Sequence, residues 1–360
     1  MRLKELGEFG LIEQIKRLAK IQSPRVLVGI DDDAAIVRAG RATLVLTTDA
    51  FVEEIHFRFD YFSPFDLGWR LMAANLSDMA AMGAQPLFAL ADIAIPAEAD
   101  AERVLDVYRG MIALGDRFGV SVVGGDTTSS PDRWFLALSL LGEAKGGSYA
   151  LRSSARNGEL LVVTGWLGNA RAGLELLANG TALEPDDILA RAHRRPEPRL
   201  LEGQFLVRSA GVRAMIDISD GLSSEVHHIC RMSRVGAVVY ADRLPVHPRL
   251  QEFARLQNRD PLSYALHGGE EFELLFTVPP ERWPALERSW RRRFPIPITP
   301  IGEIRAQQSG VLLRTSKGDE PLIPGGWQHF QTPLREPKSG VGAGEEGGRS
   351  PRRRKGGNGE

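Results

Sequence analysis

This sequence has a single cysteine, almost no net charge and no long hydrophobic run. Its 45 Lys and Arg residues nearly balance 46 Asp and Glu residues, so no broad attraction to nucleic acid or to an anionic membrane is expected. The single cysteine, Cys230, excludes an intramolecular disulfide, and we interpret it as a small buried hydrophobe. The longest apolar run, residues 134–141, is far too short to cross a bilayer. These absences predict a cytoplasmic protein with a small-molecule partner, no nucleic acid and no membrane.

Several common site motifs are also missing. No Gly-x-x-x-x-Gly-Lys-Ser/Thr sequence is present, which excludes a P-loop. The glycine-rich loop and the His-Arg-Asp motif of protein kinases are absent as well. No Cys or His cluster would favour a soft metal, since the adjacent His227 and His228 would point to different faces of a helix.

Strand-length apolar runs alternate with longer helical patterns, which predicts an α/β (α+β) fold. The predicted strands include residues 26–30, 43–47, 87–95, 120–123, 134–141 and 160–164, and the first two long helices cover 66–83 and 99–118. Ser63 and Pro64 give the first of these helices a cap and a first-turn proline. We expect domains at residues 1–150 and 151–332, followed by a disordered Gly- and Arg-rich tail at 333–360.

Aspartates recur where apolar strands end, and one lies within an apolar helix. The strand-end acids are Asp31, Asp32, Asp33, Asp49, Asp126, Asp217 and Asp220, and Asp78 is the helical one. Each acid alone could be explained by a turn or a helix cap. As a set, however, clustered carboxylates repel one another unless cations neutralise them. Carboxylate oxygens select Mg²⁺ or Ca²⁺ over softer metals, so the sequence predicts a magnesium site.

Magnesium shared between a few carboxylates and substrate phosphates is the usual arrangement for phosphoryl transfer. Gly124–Gly125 and Gly268–Gly269 are predicted to form turns where the backbone approaches phosphate closely. The residues thus indicate an enzyme that uses several magnesium ions to transfer a phosphoryl group from ATP.

Over roughly residues 5–332, the sequence resembles the thiamine-monophosphate kinase family, within the aminoimidazole ribonucleotide synthetase-like superfamily. Ordered motifs carry the resemblance: Gly7-Glu-Phe-Gly-Leu-Ile, Asp32-Asp33-Ala-Ala, Thr47-Thr48-Asp49, His56-Phe57, Asn75-Leu-Ser-Asp78-Met-Ala-Ala-Met-Gly, Gly124-Gly125-Asp126-Thr-Thr, Arg191-x-His-x-x-Pro-x-Pro-Arg199, Asp217-x-Ser219-Asp220-Gly-Leu, Gly268-Gly269-Glu270 and Gly326-Trp327-x-His-Phe330.

The resemblance implies ATP-dependent phosphorylation of thiamine phosphate to thiamine diphosphate, by a two-domain homodimer whose N-terminal sheets pair. The implied Mg²⁺ ligands are Asp33, Thr47, Thr48, Asp49, Asp78, Asp126, Asp217 and Asp220. ATP would contact Tyr108, Gly125, Asp126, Arg152 and Ser219, and thiamine phosphate would contact His56, Glu270 and Trp327. Asp49, Asp78, Asp126 and Arg152 would carry the catalysis.

Two positions depart from the family pattern, because Asp31 and Glu54 stand where the family usually has glycine. The sequence therefore leaves open which of Asp31–Asp33 bind metal, and how His56 is placed. Other functions also remain open: an aminoimidazole ribonucleotide synthetase, and a catalytically silent ATP-binding regulator. A selenophosphate synthetase would need a reactive Cys or selenocysteine near its N-terminus, and a hydrogenase-maturation carbamoyl dehydratase would need a C-terminal Cys. Cys230 meets neither requirement, so both functions are disfavoured.

Overall fold

The computed structural model describes residues 2–181, 184, 186–327, 329 and 330. The α-helices in these residues are α1 (Leu3–Leu18), α2 (Pro64–Ala81), α3 (Ala101–Phe118), α4 (Asn169–Ala178), α5 (Ile188–Arg194), α6 (Leu200–Arg208), α7 (Leu222–Ser233), α8 (Pro248–Leu256), α9 (Pro261–His267) and α10 (Trp283–Arg293). The β-strands are β1 (Val26–Val28), β2 (Ala35–Ala39), β3 (Ala42–Val52), β4 (Gln85–Pro96), β5 (Ser121–Ser130), β6 (Phe135–Glu143), β7 (Leu160–Thr164), β8 (Met215–Asp217), β9 (Val235–Tyr240), β10 (Leu274–Val278), β11 (Ile298–Ala306), β12 (Val311–Thr315) and β13 (Gly318–Pro321). The predicted disordered tail, residues 333–360, lies outside the described residues.

The first sheet has the strand order β1-β2-β3-β6-β4-β5. Only its β4–β5 pair is parallel among the described strands. Helices α2 and α3 pack against one face. On the opposite face the apolar side chains of Leu46, Phe88, Leu90 and Val123 are between 38% and 59% exposed. We call this surface the open face.

The second sheet has the order β13-β12-β9-β11-β7-β10-β8. It is also mixed, because β12 and β9 are parallel whereas β7, β10 and β11 pair antiparallel. Its strands all lie between residues 160 and 321. Two mixed sheets with helices packed on them confirm the predicted α/β class.

Helix α2 connects the two halves of the chain. The Ser63 hydroxyl accepts a hydrogen bond from the Asp66 N–H at 3.1 Å and Pro64 occupies the first turn, as the sequence predicts. One buried apolar cluster joins α2 to Leu206 of α6, Met215 of β8 and Phe276 of β10. Movement of α2 is therefore resisted by the packing of both halves.

Helices α2 and α3 cross at two glycines. A Cβ atom on Gly68 would lie 1.8 Å from the Val107 carbonyl oxygen, and one on Gly110 would lie 2.0 Å from the Phe65 carbonyl oxygen. Since both obstacles are backbone atoms, neither position has room for a side chain.

The sequence located most of the long elements but missed several others. The predicted helices and strands at residues 66–83, 99–118, 134–141 and 160–164 are confirmed to within a few residues. Helix α1, strand β2 and the three C-terminal strands were not predicted. Cys230 is buried, as interpreted, and burial raises the pKa of its thiol to about 12. Among the described residues, no helix combines the length and apolar character needed to cross a membrane.

We expect Gly110→Ala to lower the free energy of unfolding by about 1–3 kcal/mol, because the added methyl group would force α2 and α3 apart. Urea unfolding followed by circular dichroism would measure the loss. Gly10→Ala is the matched control, since its nearest neighbour is the flexible side chain of Leu6 and alanine favours a helix. Equal midpoints for the two variants would show that the helix crossing can relax.

Candidate active site

Three carboxylates from distant parts of the chain, two of them buried and one half-buried, meet between the two sheets. Asp33 precedes β2, Asp78 lies near the end of α2 and Asp217 ends β8. One carboxylate oxygen of each lies within 4.8 Å of those of the other two. Asp33 and Asp217 are 9% and 3% exposed. We call these three residues the acid cluster.

Neighbouring polar groups hold each member of the cluster in place. The Thr47 hydroxyl donates a hydrogen bond to Asp78 Oδ2. The Ser77 hydroxyl donates to Asp217 Oδ2 at 2.6 Å. The Arg152 guanidinium forms an ion pair with Asp33 and donates from Nε to its Oδ1 at 3.1 Å. Asp33 Oδ2 is buried and has no hydrogen-bond partner among the described residues.

Burial raises the pKa of four aspartates at the acid cluster and beside it, and repulsion from neighbouring carboxylates adds to the shift in three of them. Burial is the larger cause for Asp78, whose pKa is raised well above its usual value, and neighbouring carboxylates add to the shift. The same two causes raise the pKa of Asp217 to about 8. Burial raises the pKa of Asp49 to about 6 and that of Asp220 to about 7. Without a cation, part of the cluster therefore holds protons at neutral pH.

These residues fit a hard divalent cation. The donors within the acid cluster are carboxylate oxygens, with the hydroxyl of Thr47 beside them, and such oxygens are the ligands that Mg²⁺ prefers. The unpartnered buried oxygen of Asp33 is the kind of atom that a cation would satisfy. A cation would also remove the repulsion that raises these pKa values.

The acid cluster opens into a cleft of about 1270 Å³. This volume exceeds the roughly 300–1,000 Å³ of a typical small-molecule site and leaves room for two ligands. Most of the residues that the sequence singled out line the cleft: Asp33, Thr47, Thr48, Asp49, His56, Asp78, Arg152, Ser219, Asp220, Glu270 and Trp327.

Tyr108, Gly125 and Asp126 do not reach this cleft. Gly125 and Asp126 lie within β5 rather than in the turn that the sequence predicts. Strand pairing aligns Asp49 with Leu138, Leu138 with Ala91 and Ala91 with Gly125. Asp49 and Gly125 are therefore three strand spacings apart, or roughly 14 Å. The Asp126 N–H donates to Asp92 at 2.8 Å. Burial raises the pKa of Tyr108, and the negative charge of Asp92 raises it further. Tyr108, Gly125 and Asp126 therefore form a second group around Asp92.

Aromatic rings form one wall of the cleft. The ring of His56 stacks on Phe51 at 5.6 Å between centroids and lies 5.2 Å from the ring of His329. Trp327 meets His329 edge to face at 5.8 Å. Burial, with help from His329 and Arg70, lowers the pKa of His56 to about 4. The imidazole of His56 is therefore uncharged at neutral pH.

Both departures from the family pattern lie where the backbone has positive φ. Asp31 has φ 115° and Glu54 has φ 66°, conformations that favour glycine. Each side chain has an ion pair, with Lys16 and Arg133 respectively. Asp31 thus points to Lys16, whereas Asp33 enters the acid cluster. His56 lines the cleft even though Glu54 replaces the usual glycine two residues before it.

Several charged or polar residues of this region were missed in the sequence. The Asp220 N–H donates to the buried Glu225 at 2.9 Å. Glu8 of α1 accepts a hydrogen bond from the His329 N–H at 2.9 Å. Arg70 and His193 are also buried beside the cleft. Arg70 and Glu225 carried a usable signal, because each is a charge within a helix on its buried side.

Two known family models match the chain. They are the AIR synthase related protein N-terminal domain, over residues 31–144, and the corresponding C-terminal domain, over residues 156–314. The two matches cover most of each sheet, and the chain has the two-domain α/β fold of this superfamily.

Comparison with individual proteins identifies the family within this superfamily. The thiamine-monophosphate kinase of Bacillus subtilis (strain 168) is 36% identical over 334 residues, covering 91% of this chain and all of that protein. That of Aquifex aeolicus (strain VF5) is 34% identical over 333 residues, covering 92% of this chain and all of that protein. The solved structure of AaThiL complexed with AMPPCP and TMP has a TM-score of 0.81 at 34% identity, covering 92% of this chain and 99% of that one. The chain belongs to the thiamine-monophosphate kinase family.

Proposed function

We propose that this chain transfers the γ-phosphoryl group of ATP directly to thiamine phosphate, giving thiamine diphosphate and ADP. The acid cluster at the base of a two-ligand cleft is the observation that carries the proposal. A relative of 34% identity binds AMPPCP, an ATP analogue, together with TMP. Two phosphate-bearing ligands and a cluster that needs cations are complementary.

Eight oxygen-donor residues would hold several magnesium ions: Asp33, Thr47, Thr48, Asp49, Asp78, Asp126, Asp217 and Asp220. When bound, the ions would neutralise charge on the two phosphate groups and on the transferring phosphoryl group. Arg152 adds a positive charge at the cluster, where its ion pair with Asp33 fixes its direction. Asp49, Asp78 and Asp126 would act through the metals, whereas Arg152 and Ser219 would contact ATP.

The acceptor requires no general base. Its nucleophile is a phosphate oxygen that is largely ionised at neutral pH, since the second pKa of a phosphate ester is about 6. His56 of the cleft wall is not a base poised near neutrality, because burial lowers its pKa to about 4. The chain would therefore contribute in-line alignment and charge neutralisation.

The aromatic wall would bind the thiazolium ring of thiamine phosphate. Trp327 is 46% exposed, which leaves its ring face free to stack on a flat cation. Uncharged His56 would not repel that cation. Glu270 would supply the opposite charge on the same side of the cleft.

The open face would be covered by a second copy of the chain in a homodimer. It carries exposed apolar side chains such as Phe88 and Leu90, and its groove of about 710 Å³ also touches Asp33, Thr47 and Thr48 of the cleft. A partner on this face would therefore approach the acid cluster. The cleft of the same chain is not lined by Tyr108, Gly125 or Asp126. In the dimer, these residues would complete the ATP site of the partner.

The first test is product analysis. With Mg²⁺ and ATP, the protein should convert thiamine phosphate to thiamine diphosphate and ADP, and it should use unphosphorylated thiamine poorly because a neutral hydroxyl needs a base. Anion-exchange chromatography would resolve the products. Free phosphate released with ring closure of a formylglycinamidine ribonucleotide would instead assign the chain to the synthetases. Absence of ATP turnover with either acceptor would favour a silent ATP-binding regulator.

We expect metal removal to destabilise the protein more at high pH. The pKa values of Asp49 and Asp217 in the folded chain, about 6 and about 8, exceed their usual 3.8. Protons therefore stabilise the folded state, and this stabilisation is lost as pH rises from about 4 to 8. The gain in melting temperature on adding Mg²⁺ to chelator-treated protein should grow by several degrees from pH 6 to pH 8.

Asp78→Asn separates the metal role of the cluster from its structural role. Removing one repelling charge should raise the melting temperature of the metal-free protein at pH 8, yet shrink the gain from Mg²⁺ and reduce turnover by orders of magnitude. Asp116→Asn, on the exposed side of α3, is the control. If Asp78→Asn kept the full gain from Mg²⁺, Asp78 would belong to the scaffold.

Mixing two inactive variants tests the shared site. If Asp126 serves the partner, a dimer of one Asp78→Asn chain and one Asp126→Asn chain has one site with both defects and one intact site. Unfolding and refolding an equal mixture should therefore restore about a quarter of the wild-type activity. Each variant refolded alone is the control. No restoration from a mixture shown to contain mixed dimers would place Asp126 in the cleft of its own chain.

A further inference from the structure

A buried histidine without hydrogen-bond partners borders the cleft. His193 of α5 is 2% exposed, yet neither ring nitrogen has a hydrogen-bond partner among the described residues. Its Nδ1 lies 3.6 Å from Glu270 Oε2, which is too far for a hydrogen bond. Since buried polar atoms are almost always paired, this ring is expected to have a partner that enters through the cleft.

Glu270, the neighbour of His193, is firmly held. It forms an ion pair with Arg70, whose side chain is fully buried. The Arg70 guanidinium lies 5.5 Å from the ring centroid of Phe51 and 5.2 Å from that of Phe62, and its Nη1 donates to the His56 carbonyl at 3.0 Å. Arg70 is therefore a positioning residue that fixes the carboxylate of Glu270 beside the imidazole of His193.

The imidazole of His193 is neutral at physiological pH. Burial is the main cause that lowers its pKa well below 6.5, and the nearby positive charges of Arg70, Arg171 and Arg194 lower it further. A neutral imidazole has one N–H donor and one acceptor nitrogen. Next to it, the carboxylate of Glu270 only accepts. The pair thus offers a donor and an acceptor side by side.

This pattern discriminates among possible ligands. A phosphate group would be repelled by Glu270, and a hydrocarbon would leave the imidazole unpaired. A planar ring with an amino group next to a ring nitrogen matches the pattern, because the amino group donates and the ring nitrogen accepts. The aminopyrimidine ring of thiamine has this edge.

We propose that His193 and Glu270 together recognise the aminopyrimidine edge of thiamine phosphate. The carboxylate of Glu270 accepts a hydrogen bond from the exocyclic amino group, and the N–H of His193 donates to the adjacent ring nitrogen. The assignment rests on the proposed function and adds His193 as a residue that determines substrate specificity.

The 4-oxo analogue of thiamine phosphate tests the assignment, because a carbonyl oxygen and a ring N–H reverse its donor and acceptor. The wild-type enzyme should have a KM for this analogue about tenfold to a hundredfold above that for thiamine phosphate. In His193→Phe, the KM for thiamine phosphate should rise by about tenfold or more, with kcat within a few-fold of wild type. The KM for the analogue should change less, so the ratio of the two constants should fall.

His247→Phe is the matched control, since His247 caps α8 away from the cleft, and it should leave the ratio unchanged. A ratio in His193→Phe equal to that of wild type would show that His193 has only a packing role against Phe62. Equal KM values for the two substrates in the wild-type enzyme would overturn the proposal without any variant. Wild-type protein that does not phosphorylate thiamine phosphate at all would instead overturn the proposed function, and this inference with it.

Discussion

Negative charge concentrated out of water is the constraint on which the site depends. One carboxylate oxygen from each of Asp33, Asp78 and Asp217 lies within 4.8 Å of the other two, and the burial of Asp33 and Asp217 limits screening by water. Such a cluster is unfavourable in an empty protein, and its cost is met by the hydrogen bonds of Thr47 and Ser77 and by packing elsewhere. A bound cation would relieve this unfavourable energy, so the affinity for a cation and the instability of the cluster without one would have a common origin.

Helix α2 transmits this constraint to the rest of the fold. It carries Asp78 and Ser77 toward the cluster and Arg70 toward Glu270, and most of its other residues are buried. Its close crossing with α3 through Gly68 and Gly110 limits its movement. Both the acid cluster and the Glu270 side of the cleft are thus positioned by one rigid element.

Local chemistry made much of this predictable from the sequence. Ser63 and Pro64 located the start of α2, and the position of Asp78 within an apolar helix marked it as an acid that needs a partner. The sequence could not separate Asp126 from the cluster, because the separation arises from the order of strands across the sheet. Nor could it pair Arg70 with Glu270, since their contact depends on tertiary packing between distant segments. Long-range geometry, rather than residue chemistry, was the missing information.

The contact between Glu8 and His329 has a consequence for biosynthesis. The two residues are 321 positions apart. His329 follows Gly326, which packs against the Asp220 carbonyl, and Trp327, whose N–H donates a hydrogen bond to that carbonyl. A chain growing on the ribosome therefore cannot close the cleft until residue 329 has emerged. Helix α1 can contact His228 earlier, but its hydrogen bond to His329 must wait for almost the whole chain, so an incomplete polypeptide cannot complete this side of the cleft.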